Sequence, residues 1–286
     1  MSLLRTRRAA GVALLALLTS LGAGVIAAGP AAAVGTDWYV SPSGDDSANC
    51  ITPSDACETI AEVLLDRAES NDVVHLASGT YDESGLQIGI NLTIVGAADG
   101  TSKVAGDGYE IFDVEGGDNV PTVIFENVTI SDNAGGDGVY AENAAVNFVD
   151  SHVDNNRYGV EAYNAAIQAT RSTFAGNGTQ DSFGDGLYLD CGAVTADHST
   201  FDGNSGAGIW VDAVECFRRD VSIDAATGAD VSLRVDHSTV SNNGAAGVGG
   251  YNASIQVWTS TLSGNTGAGL DNRSGSSSQN GAGVAE

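Results

Sequence analysis

VIFENVTISDN (Val123–Asn133), VNFVDSHVDNN (Val146–Asn156), IQATRSTFAGN (Ile167–Asn177), VTADHSTFDGN (Val194–Asn204), LRVDHSTVSNN (Leu233–Asn243) and IQVWTSTLSGN (Ile255–Asn265) align with no internal gap. The spacings between their successive closing asparagines are 23, 21, 27, 39 and 22. The repeat unit is therefore about 22 residues, with two insertions. A second register gives the same unit independently. Gly138-Val139, Gly159-Val160, Gly186-Leu187, Gly208-Ile209, Gly247-Val248 and Gly269-Leu270 recur at intervals of 21, 27, 22, 39 and 22. Each unit holds short β-like runs broken by Gly, Asn, Asp or Ala, and none is long enough for a helix. Leucine-rich repeats have periods in this range, but their dense leucine framework is missing. The physical solution is a parallel β-helix, in which each unit makes one coil and stacked coils pair at about 4.8 Å around an apolar interior.

Two inward ladders follow from this register. Ile130, Val153, Phe174, Phe201, Val240 and Leu262 form one, and Val123, Val146, Ile167, Val194, Leu233 and Ile255 form the other. The closing asparagines Asn133, Asn156, Asn177, Asn204, Asn243 and Asn265 suit corners, because Asn tolerates left-handed backbone geometry and its amide can bond across stacked turns. The longest interval holds about 17 extra residues, mostly 213–230, which read as a loop thrown out from the body.

Outward from the repeat, ETIAEVLLDRAES (Glu58–Ser70) places Ile60, Val63, Leu64 and Ala68 on one face and reads as a short amphipathic helix. A helix there caps the first coil, which otherwise exposes core side chains and an open strand edge. Met1–Ala33 reads as a signal peptide: Arg5, Arg7 and Arg8 precede an apolar run that ends in Ala31-Ala32-Ala33. A retained anchor is the competing reading, and no later segment is apolar and long enough to cross a bilayer. The expected plan is a signal peptide at 1–33, an entry and cap segment at 34–72, the β-helix at 73–273 and a flexible Gly/Ser-rich tail at 274–286. Export gives the cysteines an oxidising setting. Of three pairings, local enclosure favours Cys50 with Cys57 and Cys191 with Cys216; metal ligation competes, without CxxC spacing to support it.

From about Asp37 to Arg273 the chain resembles the right-handed β-helix superfamily of pectate-lyase-like, polygalacturonase-like and bacterial surface proteins. DWYVSPSGDD and CETIAEVLLDRAESNDVVHLASGTY resemble the entry segment of secreted members, and the STF, asparagine and Gly-hydrophobic pattern resembles their coils. The resemblance implies an all-β, single-stranded right-handed parallel β-helix; handedness rests on it alone. It selects shape rather than activity. The Gly-His-Gly and Arg-x-Lys elements of polygalacturonases are missing, and Asp45-Asp46 lies in the entry segment. Pectate-lyase-like enzymes combine calcium-binding acids with a basic residue, and by resemblance Arg171, near Asp150 and Asp197, takes that place.

The chain carries 37 acids against 11 bases, a formal charge of −26 that becomes −29 once the three leader arginines are gone. Such a surface disfavours nucleic acid and anionic membranes, which need a cationic face. Stacking turns sequence columns into surface stripes. One column holds Asn127, Asp150, Arg171, His198, His237 and Thr259, beside Asp197 and Asp236, and brings Arg171, His198 and His237 together as candidate catalytic groups or as a plain polar bend. Asp150, Asp181, Asp185, Asp190 and Asp197 are the candidate calcium ligands, set against a solvated acidic surface. A second stripe holds Tyr140, Glu161, Tyr163, Tyr188, Trp210 and Tyr251, whose rings and carboxylates suit sugar faces and hydroxyls or else pack under a loop. No phosphate loop, HExxH or GxSxG motif is present, and His75, His152, His198 and His237 show no zinc spacing.

Two functions remain from the sequence. The leading one is a secreted or cell-surface β-helix protein that binds an extracellular glycan or surface protein without catalysis. The other is a calcium-assisted lyase that cleaves an acidic glycan by β-elimination.

Overall fold

The computed structural model describes residues 35–178, 184–213, 216, 231–281 and 283–285. The expected leader, Asp181 and most of the 213–230 insertion lie outside the described residues. Every strand pair among the described residues is parallel, and each coil from Asp72 to Arg273 lays a strand on each of three faces. Face A stacks Asp37–Val40, Asp72–Leu76, Leu92–Val95, Thr122–Glu126, Ala145–Val149, the second halves of Val160–Thr170 and Leu187–Asp197, Ser232–Asp236, Ser254–Trp258 and Ser276–Asn280. Face B is a 9-stranded sheet from Gly79–Asp82 to Gly283–Ala285. Face C runs from Leu86–Ile88 through Val139–Glu142 and Ile209–Asp212 to Leu270–Arg273. Val160–Thr170 and Leu187–Asp197 continue around the corner from C to A, which joins those faces into one 16-stranded sheet. The molecule is thus a right-handed parallel β-solenoid, as the repeat and the resemblance led us to expect.

Both inward ladders are in register and buried. Large rings meet in the interior, with centroid distances of 4.8, 5.5, 5.3 and 4.8 Å along Phe112, Phe125, Phe148, Phe174 and Phe201. Hydrophobic burial of this continuous column is the main favourable term, since each coil alone leaves its apolar face open.

The corners explain the polar residues. At the turn from B to C the ladder is buried from Asn133 to Asn243, and each Oδ1 from Asn156 to Asn265 accepts the backbone N–H of the preceding asparagine, as Asn204 does from Asn177 at 3.0 Å. The expected left-handed geometry falls one residue earlier, on Asp132, Asn155, Gly176, Gly203, Asn242 and Gly264, with φ between 56 and 65°. The asparagine itself points inward, because its amide replaces missing backbone partners at the turn. A serine ladder does the same at the turn from A to B: Ser151, Ser172, Ser199, Ser238 and Ser260 are buried, and each hydroxyl from Ser172 on accepts the N–H of the serine one coil earlier at 3.0 to 3.1 Å.

The helix spans Ile60–Asp66, shorter than its sequence pattern, with Thr59 as N-cap and Ile60 and Val63 buried. The Glu83 carboxylate accepts the free N–H groups of Ile60 and Ala61 at 2.8 and 2.9 Å. Disulfides join Cys50 to Cys57 and Cys191 to Cys216, the two local pairings. Past Arg273, where the sequence pattern stops, Ser276–Asn280 pairs with Ser254–Trp258 and Gly283–Ala285 with Thr261–Ser263. Ser277 and Gln279 stand where the preceding coil has Ile255 and Val257, so backbone pairing outlasts the apolar pattern there.

Candidate functional site

Two stripes carry the chemistry. The first lies at the corner from A to B, where Asn127, Asp150, Arg171, His198, His237 and Thr259 all have φ between 46 and 57°. Arg171, His198 and His237 come together on successive coils, as the column predicts. Their backbone N–H groups donate to Asp197, Asp236 and Trp258 carbonyls at 3.0, 3.1 and 3.2 Å, which fixes the spacing. Arg171 grips Asp150 with two hydrogen bonds of 2.7 and 2.6 Å. That pairing raises the guanidinium pKa further and lowers that of the carboxyl. His198 Nδ1 lies 2.9 Å from Asp197 Oδ1, and His237 Nδ1 lies 2.9 Å from Asp236 Oδ1. The two imidazoles stack with centroids 4.8 Å apart and planes 3° from parallel.

The second stripe covers face C. One outward column reads Asp113, Tyr140, Glu161, Tyr188, Trp210, Gly249 and Asp271; its neighbour reads Glu115, Glu142, Tyr163, Asp190, Asp212, Tyr251 and Arg273. All six residues of the aromatic stripe therefore share one face. Tyr140 and Tyr163 rings are 5.8 Å apart, and Tyr163 and Tyr188 rings 6.3 Å. The Tyr140 hydroxyl donates to Glu142 at 2.9 Å and the Tyr163 hydroxyl to Glu161 at 2.6 Å. Burial, then these carboxylates, push both phenols up, and burial with Asp190 does so for Tyr188, so all three stay protonated. Trp210 lies across Gly249: a Cβ there would be 2.4 Å from the indole Cζ3, so only glycine leaves room for the ring. The Arg273 guanidinium sits 5.4 Å from the same indole.

Sequence reasoning missed the edge of this face. Arg157 binds Asp137 through Nε and Nη2 at 3.0 and 2.9 Å and Glu161 through Nη2 at 3.0 Å. Burial raises Asp137 to about 7 against the pull of Arg157, and raises Asp113 and Asp185 to about 6. The signal was present: Asp137, Tyr158 and Asp185 each precede the glycine of the second repeat register.

Of the five aspartates expected to bind calcium, Asp181 lies outside the described residues, and the other four do not share one place. Asp150 and Asp197 lie at the corner from A to B, the former engaged by Arg171, whereas Asp190 lies on face C and Asp185 in the turn that leads into it. Asp185 accepts the Ala207 N–H at 2.5 Å. Calcium takes six to eight oxygens, and the imidazole nitrogens at the corner do not fit it. Beside Asp190 the sulfurs of Cys191 and Cys216 are joined to each other and offer no thiolate.

The family model described as a right handed beta helix region matches residues 111–282, and the chain belongs to that family. Among solved structures it is similar to pectate lyase Pel9A, with a TM-score of 0.63 and 17% identity over 85% of this chain and 67% of that one. It is also similar to the pectin methylesterase of Aspergillus niger, with a TM-score of 0.50 and 12% identity over 88% of this chain and 87% of that one. At these identities the likeness is one of fold. No curated protein matches the chain by sequence.

Proposed function

We propose that this chain is an extracellular protein that holds a neutral, hydroxyl-rich glycan along face C and does not turn it over. The observation that carries the reading is the run of Tyr140, Tyr163, Tyr188 and Trp210 over successive coils, interleaved with Glu142, Glu161, Asp190 and Asp212. Flat rings suit sugar C–H faces, and carboxylates accept hydroxyl hydrogen bonds. A polyuronate is disfavoured because Asp113, Glu115, Glu142, Glu161, Asp190, Asp212 and Asp271 share this face, with Arg157 and Arg273 as its counter-charges. Export is supported by the two disulfides, which persist in oxidising compartments, and by the leader-like sequence of 1–33. The names of the two structural neighbours associate this fold with pectate and pectin, which supports a polysaccharide partner.

Turnover by the corner column is disfavoured because Arg171, raised in pKa and bonded to Asp150, is a poor proton acceptor. The test is a screen of purified protein for binding and degradation across neutral and acidic polysaccharides, with and without calcium. Saturable binding to neutral glycans without product is the expected result. An unsaturated uronate product lost in Arg171→Ala would overturn it in favour of a lyase. Binding to a surface protein alone would also overturn it.

A further inference from the structure

We infer that Asp197, His198 and His237 form a surface site for a divalent transition metal ion of the zinc type. One carboxylate oxygen and one nitrogen from each imidazole lie within 4.8 Å of one another. The two histidines are far apart in sequence, so no chelating motif announces them; the fold brings them together by stacking their coils. Imidazole and carboxylate are the ligands this class of ion prefers, and three protein ligands leave a position for water.

Donors sharing one tetrahedral ion of this class at 2.0–2.2 Å stand about 3.3–3.6 Å apart. The set must therefore contract by about an ångström, and the two imidazoles, stacked 3° from parallel, must turn about their χ bonds so that their in-plane lone pairs converge, a change open to side chains 43 to 57% exposed. The backbone needs no adjustment. His198 and His237 have matching φ values of 51 and 46°, and the His198 N–H is bonded to the Asp236 carbonyl at 3.1 Å, so both side chains leave the corner alike. The nearest cations are already matched: Arg171 is bonded to Asp150, and Arg234 to Asp236 at 2.9 Å. A bound ion joins the coils on either side of the long insertion, and so stabilises the folded chain by mass action.

The experiment is calorimetric titration of the full, disulfide-bonded chain with zinc chloride, using His198→Asn, His237→Asn and, as control, His152→Asn on face B. Asparagine is the replacement of choice because Asn127 already occupies this column at φ 57°. One ion per chain is expected, with affinity reduced at least tenfold by either corner variant and unchanged by the control. Copper loading followed by electron paramagnetic resonance should show two imidazole nitrogens in the parent and one in each corner variant. No stoichiometric binding in the parent, or equal affinity and an unchanged nitrogen pattern in both corner variants, would overturn the assignment.

Discussion

The side-chain oxygen of Asn243 accepts two hydrogen bonds from Asn204, one from its backbone N–H at 3.0 Å and one from its amide at 2.9 Å, across the long insertion in the sequence. Asn204 in turn accepts from the Asn177 N–H and amide and donates to the Phe174 carbonyl. Each amide therefore holds both the coil before it and the coil after it.

Asn204→Ala leaves the Asn177 donors and the Phe174 carbonyl without that partner in a buried corner. A loss of about 2–4 kcal/mol is expected, since an unsatisfied buried group costs about 1–3. Urea denaturation followed by circular dichroism measures it. A loss below the error of the fit would mean that water or a shifted corner replaces the amide.

Cys216→Ser opens a link spanning 25 residues. Loop-closure entropy assigns about 3 kcal/mol to a loop of this order, on a model-dependent basis. The melting temperature should fall, and dithiothreitol should then lower it less than in the parent. Peptide mapping without reductant should recover Cys50 with Cys57 and Cys191 with Cys216.

Stability should rise as pH falls from about 7.5 to about 5. Asp113, at about 6, is raised mainly by burial and then by Glu115 and Glu110, and Asp137 and Asp185 are raised chiefly by burial. Between the unfolded carboxyl value near 3.9 and these folded values the native state binds more protons, so the slope of unfolding free energy with pH is negative. Asp113→Asn should raise the melting temperature at pH 7.5 and flatten this slope. An unchanged slope would locate the proton uptake at other carboxyls.

Tyr188→Ala and Trp210→Ala should each weaken binding of the captured glycan by about tenfold, roughly 1.4 kcal/mol. Thr200→Ala, on face B, should leave it unchanged. Equal losses in all three would indicate a fold defect rather than a contact surface.

The coil was legible because both registers repeat through the insertion, and a one-residue slip exchanges inward and outward side chains. The stacking of His198 on His237 was legible for the same reason. The position of the left-handed residue was not: Asp132, Gly176 and Asn242 differ in type, while the conspicuous asparagine beside each has another task. The end of the ladder was hidden because Ser277 and Gln279 carry no apolar signal. Arg157 escaped notice because its partner Asp137 lies one coil away and the pair forms only after stacking.

Ala193 pairs directly with Ser232, and Val194 with Leu233, although the long insertion leaves and rejoins the chain between those coils. The corner from C to A is therefore a permissive graft point. A foreign peptide spliced there should be displayed beside face C while the coils on both sides keep their alignment. Chain length at this corner is thus uncoupled from the register of the coils, and segments of different length can enter there without a shift of the strands on either side.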